Sequence, residues 1–486
     1  MMGPVAEAVM SSSKKILKNS FVYSAGVFFD GICSAVLGLA VARWLGPSVQ
    51  GIWQTARLFR AYSDMTTLGQ ALGMRREVAV AMGAGKEDEV AAQRDTAFTW
   101  NTGTMALAGT AIALYALLFP HPALLRQSLL AVAITVALAG ASSFFNLWYK
   151  TIGRFGVLAS SSVASGMISL LAVALVYRYR FTGLITSYVL TSVVILAAMV
   201  AAYREPVRFR FSLAAWLRSS AVGFPLFLIS ASGLLFSSID RILVIGLMGF
   251  SDMGFYSIST MCFMPIDTVL SSVSVVLLPR VCQKFGRDAS FEGLSQYYLL
   301  PLSILMIGLP SAAGLIALVL RPVVLWLLPQ YEAGILPAQI AMIGLSFSAA
   351  AGFCHNILLA ARKTWWLVYA TSAGSIAKLA LVWVLIRSGL GLAGVSAAAA
   401  MAYALQFVLV FWMTASLTRA PMRQRGAVMA EAFVSVVLCA VLCWYVRDLG
   451  WVLHPQMGLS FVLRLAASAC LAAPMLIASF RLWRML

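Results

Sequence analysis

Runs of about twenty apolar residues, the length a helix needs to cross the hydrocarbon core of a bilayer, recur along the whole chain, each closed by a short basic or glycine-containing segment. A β-barrel would instead show short segments of alternating polarity. The pattern predicts fourteen spans, at roughly 20–42, 50–73, 96–119, 128–149, 155–177, 182–203, 220–247, 253–278, 297–320, 333–361, 364–386, 390–415, 428–446 and 457–480. Spans seven and ten are long for one crossing, which predicts tilt, a kink or extension past the bilayer. Pro225 and Pro265 fall inside spans seven and eight, where the missing N–H permits a bend.

A second pattern overlies the first. Gly46, Gly51, Trp53 and Asp64 are matched by Gly249, Gly254, Tyr256 and Asp267, each pair separated by the same 203 positions, and Gly83 and Gly286 keep that offset. Several matches at one offset point to a duplicated membrane unit. Asn146 and Asn356, in spans four and ten, carry a similar offset to the next pair of spans. The expected organisation is therefore a six-helix bundle over 1–210 and a repeat of it over 211–420, of the same topology because six is even, around a central cavity. Residues 421–486 form two additional helices with no counterpart.

Composition agrees with this class: 61% of the residues are hydrophobic and 11% charged, which excludes an ordinary soluble domain. The fold class is an all-α polytopic membrane protein. Most lysines and arginines fall in segments that share one side of the bilayer when the N-terminus is inside, so both termini are expected to be cytoplasmic. That bias accounts for the net charge of +18 without any nucleic-acid partner, although basic loops also attract anionic headgroups. The basic segment before the first span leads into a long apolar run containing Asp30 and no cleavage-site pattern, so it reads as a retained helix.

The sequence offers little for covalent chemistry. The longest segments between spans, Met74–Asp95 and Pro279–Gln296, are too short to hold a soluble catalytic domain, and no phosphate-binding loop of the GxxxxGK[ST] type occurs. The seven cysteines include no CxxC pair and read as small core residues. His121, His355 and His454 are too scattered for a metal site. No enzyme activity and no cofactor are expected; transport is the stronger reading.

Charges inside the spans are the most informative positions, because a charged side chain at the bilayer centre costs about 2.5–3.5 kcal/mol even on insertion scales. Asp30 sits in the first span. Arg57, Arg60 and Asp64 share one face of the second, where Arg60 and Asp64, four apart, are placed to neutralise each other and leave Arg57 the freer cation. Asp240 and Arg241 are adjacent, so they project about 100° apart on a helix and cannot meet the same partner; either faces a cavity or joins an interhelical salt bridge. Lys378 lies mid-span in TSAGSIAKLALVW, among small residues and with no acid on its own helix, which fits close packing or a cavity wall. Asp64 and Asp267 occupy matching places in the two repeats, as candidates for proton or sodium coupling or as structural polar contacts.

The segments ARWLGPSVQGIW at 42–53 and DRILVIGLMGFSDMGFYSIS at 240–259 carry a family resemblance. With the span count, they are similar to bacterial polysaccharide flippases of the multidrug/oligosaccharidyl-lipid/polysaccharide exporter superfamily, which also holds multidrug-and-toxin exporters and lipid II flippases. The likeness runs over essentially the whole chain, and residues 240–256 match the flippase pattern D-R…G…G-x-Y. It implies movement of an undecaprenyl-pyrophosphate-linked oligosaccharide from the cytoplasmic to the periplasmic leaflet of the bacterial inner membrane. Alternating access driven by an ion gradient is the implied mechanism. The implied partners are the lipid-linked oligosaccharide, membrane lipid, a proton or sodium ion, and a polysaccharide polymerase with its chain-length machinery. On this reading Arg57, Arg241 and Lys378 are cavity cations that offset the desolvation of the pyrophosphate, and Asp30, Asp64, Asp240 and Asp267 serve ion coupling or structure. The competing reading within the same superfamily is a proton- or sodium-coupled exporter of cationic drugs, in which those acids would bind the cargo.

Overall fold

The computed structural model describes residues 4–203, 207–262, 295–361 and 363–452, and every regular element within them is helical. Asp267, Pro265 and the expected fourteenth span lie outside the described residues. Nine helical stretches among the described residues are long and apolar enough to cross a membrane.

Two of these helices are each too long to be one crossing. The first, α1 (Pro4–Ser63), has 60 residues, and at about 1.5 Å per residue it would be far longer than the bilayer core. It breaks at Gly46, with φ 81° and ψ 171°, followed directly by Pro47. Glycine accepts the positive φ, and proline, needing no N–H partner, starts the next helix. The chain reverses there: Val41 and Trp53, on either side of the break, share one buried cluster with Val176, Phe181 and Leu184. The same solution recurs in α5 (Phe155–Ala201), which breaks at Arg180 with φ 54° and ψ −128°. Gly183 lies against the Leu175 carbonyl across that reversal, where a Cβ would not fit. Arg180 Nη1 donates to the Trp44 carbonyl at 3.4 Å, tying the two reversals together. Spans one and two thus lie in α1, and spans five and six in α5. Gly249, the partner of Gly46 in the sequence offset, also has a positive φ, 106°.

Between these helices come α2 (Gln70–Gly83), α3 (Glu87–Leu118) and α4 (Ala123–Thr151). The first turn of α3 carries Glu87, Asp88 and Glu89, whose charge complements the positive end of the helix dipole. Then follow α6 (Leu213–Leu247), which stays helical through Pro225, and α7, which starts at residue 250 and is described through 262. The remainder is α8 (Ser295–Leu327), α9 (Ile335–Ala360), α10 (Thr364–Arg387), α11 (Gly391–Leu417) and α12 (Met422–Val452).

The chain divides into two compact units, Met1–Ala231 and Ser232–Leu486. In the first, α1 packs along α5, and α3 along α4. In the second, α9 packs on α11, α10 on α11, and α8 on α9. The division falls inside α6. The reason is that the start of α6 is fixed to the first unit. The Ser212 N–H donates to Thr96 Oγ1 at 3.1 Å, Trp216 packs on Trp100, and Ser219 Oγ bonds Gln93 Oε1. The helix that begins the C-terminal segment 421–486 is α12. It packs on α8 and α9, and Ser435 Oγ donates to the Met306 carbonyl at 2.6 Å.

Candidate functional site

The most deeply buried ion pair among the described residues lies within the second unit. Lys378, on α10, is completely buried. Its approach to α6 depends on a small residue one turn earlier, because Gly374 lies directly against the Phe236 ring. The Lys378 ammonium is 3.2 Å from Asp240 Oδ1 and donates to the Phe236 carbonyl at 2.9 Å. It also lies 5.2 Å from the ring centroids of both Phe236 and Tyr403. Aromatic faces attract a cation through their quadrupole, more strongly when it is desolvated. Asp240 is 6% exposed, and its second oxygen accepts from Tyr256 OH at 2.5 Å.

Four helices supply this cluster: α6 gives Phe236 and Asp240, α7 gives Tyr256, α10 gives Lys378 and α11 gives Tyr403. A hydrogen bond from Gln406 Nε2 to Thr371 Oγ1, 3.3 Å, joins α11 to α10 two turns from the lysine. The result is a chain of ammonium, carboxylate and phenol away from solvent. Such a pair costs desolvation on both partners and gains little over an apolar replacement, but leaving one member alone costs about 3–5 kcal/mol. Removing only the phenol is milder. Tyr256→Phe is expected to cost about 1.5–3 kcal/mol, the worth of a hydrogen bond to a charged group, read as a lowered unfolding temperature of the purified protein.

The other charges expected at the site are spread out. Arg241 is half-buried and close enough to Asp240 and Tyr256 for its charge to act on both; its Nη2 donates to the Ser237 carbonyl at 3.2 Å, and its Nε is buried with no hydrogen-bond partner among the described residues. In the first unit, Arg60 Nη1 and Asp64 Oδ1 are 2.6 Å apart, with the Asp64 side chain 51% exposed. Arg57, one turn earlier on α1, is exposed. Asp30 is half-buried and hydrogen-bonded to the Ser165 side chain on α5. The structure therefore brings together Asp240 with Lys378, with the Arg241 charge nearby, and Asp64 with Arg60, whereas Arg57 and Asp30 have no ion pair among those described.

Sequence reasoning missed Tyr256, Phe236 and Tyr403 as members of the cluster. One signal for Tyr256 was available. Asp240 and Tyr256 lie at similar distances on either side of the turn at Gly249, as facing residues of two helices joined by a tight turn must.

The amino-acid sequence matches the model of the family described as polysaccharide biosynthesis protein over residues 16–285, more than half of the chain. The chain belongs to that family. No curated protein matches it. Among solved structures it is similar to "Lipid II flippase MurJ, inward closed conformation", with 14% identity, a TM-score of 0.72, and coverage of 95% of this chain and 99% of that one. It is also similar to an inward-facing multidrug resistance transporter of the MATE family, at 13% identity and a TM-score of 0.66 over 82% of this chain and 95% of the other. A third likeness, at 14% identity and a TM-score of 0.59, covers 85% of this chain and 96% of a transporter of the same superfamily from Pyrococcus furiosus. At such identities the likeness establishes the fold, which is that of multi-pass membrane transporters of this superfamily.

Proposed function

We propose that this member of the polysaccharide biosynthesis family is a flippase. It moves an undecaprenyl-pyrophosphate-linked oligosaccharide repeat unit from the cytoplasmic to the periplasmic leaflet of a bacterial inner membrane, for surface or exopolysaccharide assembly. The observation that carries this reading is the family match over residues 16–285, joined to a fold shared with a lipid II flippase over nearly the full length of both chains. The chain acts as a carrier and makes or breaks no covalent bond. Both termini lie in the cytoplasm, in keeping with the basic residues between the spans.

Arg57 and Arg241 supply the cations for the pyrophosphate, since guanidinium groups grip phosphate oxygens in a bidentate way. Lys378 joins them only when its bond to Asp240 opens. A proton or sodium ion arriving at Asp240 would release the lysine, coupling an ion gradient to the handling of an anionic head. The polyprenyl tail stays in lipid while the head crosses.

Export of cationic drugs is less well supported by the site. Of the three candidate acids among the described residues, Asp64 is engaged by Arg60 and Asp240 by Lys378, which leaves Asp30, bonded to Ser165, as the one without an ion pair among those described. The deciding experiment is deletion of the gene, with lipid-linked oligosaccharide measured in the inner membrane, polymer measured at the cell surface, and resistance to cationic dyes followed in parallel. Accumulated precursor with lost surface polymer, both rescued by the intact gene, is the expected result. Unchanged glycolipid with heightened dye sensitivity would overturn the flippase reading in favour of drug export.

A further inference from the structure

The first unit contains a buried polar layer that neither the charges nor the family match explains. On α2 the residues at one-turn intervals, Gln70, Met74 and Val78, are all 0% exposed. On α3 the matching stripe is Ala97, Asn101 and Met105. Met74, Val78 and Ala97 belong to one core cluster, together with Phe144 and Trp148 of α4. Trp100 Nε1 donates to the Thr67 carbonyl at 3.0 Å, just before α2 begins. Those two contacts set the register of α2 against α3. Gln70 lies one turn from Met74 and Asn101 one turn from Ala97, both toward the Trp100 contact, so the two amides occupy the same layer.

Each amide offers one acceptor oxygen and two N–H donors. All four side-chain polar atoms of Gln70 and Asn101 are buried without a hydrogen-bond partner among the described residues. Buried amides are ordinarily satisfied, and leaving one unpaired forfeits its hydration with no return. Two such residues in one layer are costly in this packing and gain their return only when something else meets them. The neighbouring surface bears on what that is. Trp100 and Trp216 lie 5.1 Å apart, and Trp216 Nε1 and Ser220 Oγ on α6 are two more buried groups without a partner among the described residues.

Neutral amides, a hydroxyl and indole rings, with no charge among them, suit a ligand that presents many hydroxyl groups and an apolar C–H face. That is the chemistry of a pyranose, and it does not suit a phosphate or a metal ion. We propose that Gln70 and Asn101 bind hydroxyl groups of the cargo's sugar head, and so take part in selecting the repeat unit, when α2 moves away from α3. Leu68 (φ 51°) and Gly69 (φ 73°) precede α2, and Gly85 (φ 68°) follows it, so a 14-residue helix sits between two sharp turns.

This assignment rests on the flippase reading, and the test separates the two. The purified protein in lipid nanodiscs is titrated with the glycolipid that accumulates in the deletion strain and, separately, with undecaprenyl pyrophosphate lacking sugar. Gln70→Leu and Asn101→Leu keep the volume and remove the hydrogen-bonding groups. Each is expected to weaken glycolipid binding about ten-fold, the size of one net hydrogen bond to a cargo hydroxyl group. Binding of the sugar-free lipid stays within about two-fold, and the unfolding temperature is unchanged or higher, because an unpartnered amide has been removed. If a leucine variant unfolds, Gln70→Met and Asn101→Ala are read in its place. Variants that bind the glycolipid as the wild type does, or that lose both lipids equally with a lower unfolding temperature, would overturn the assignment. If the wild type binds neither lipid, the flippase reading itself fails and the assignment falls with it.

Discussion

Replacing Lys378 with alanine is expected to lower the unfolding free energy by about 3–5 kcal/mol, one of the two largest effects of any single substitution in the second unit or the first. The cost comes from what remains rather than from what is removed. Asp240 would keep the Tyr256 hydrogen bond but lose its counter-ion in a place with almost no solvent. The Phe236 carbonyl and two ring faces would lose the ammonium as well. Lys378→Ala alone therefore cannot show whether the lysine handles cargo, because a damaged fold would also stop transport. The double substitution Lys378→Met with Asp240→Leu removes both charges and keeps the volume, so most of the lost stability should return. Thermal unfolding of the two variants and the wild type in one detergent checks this. Flipping by the stable double variant then separates two roles. Lost transport in a folded protein is the expected result and assigns the pair a part in the cycle; normal transport would reduce it to a structural tie between α6 and α10.

How much of this was legible in the sequence depended on whether the interaction was local. The Arg60–Asp64 pair follows from four-residue spacing on one helix, and the structure shows it at 2.6 Å. The reversal at Gly46-Pro47 was legible because that dipeptide ends one helix and begins another. Asp240 and Lys378 were each marked as costly buried charges, yet nothing in the sequence says which helix will lie beside which. Their pairing is a property of the packed second unit. The contacts that follow Arg210 are likewise non-local: Ser212, just before α6, and Trp216 and Ser219 within it bind α3. Gln70 and Asn101 gave even less signal. An amide inside an apolar run is a mild polarity that many partners could satisfy, and only burial beside atoms that do not satisfy it makes the two residues conspicuous.

The second large effect is expected at the glycines where α6 meets the start of α2. Gly223 lies against the Gly69 carbonyl, and Gly73 lies against the Ser219 carbonyl. In both places the atom in the way is backbone, so no side chain can rotate to make room. Gly69 adds a conformational demand, because its φ of 73° disfavours any residue with a Cβ. Backbones approach this closely in membrane helices because small residues let dispersion and polar contacts act at short range, where the hydrophobic effect offers no drive between helices. Gly223→Leu must push α6 off α2 and break the Ser219–Gln93 bond one turn away. A cost of about 3 kcal/mol or more follows, at the upper end of overpacking penalties. Gly233→Leu is the control, on the same helix, where nothing lies within 4 Å of the position a Cβ would take. It should change the unfolding temperature little. Equal destabilisation by both substitutions would mean that leucine disturbs α6 wherever it is placed, and that the close contact with α2 contributes nothing of its own.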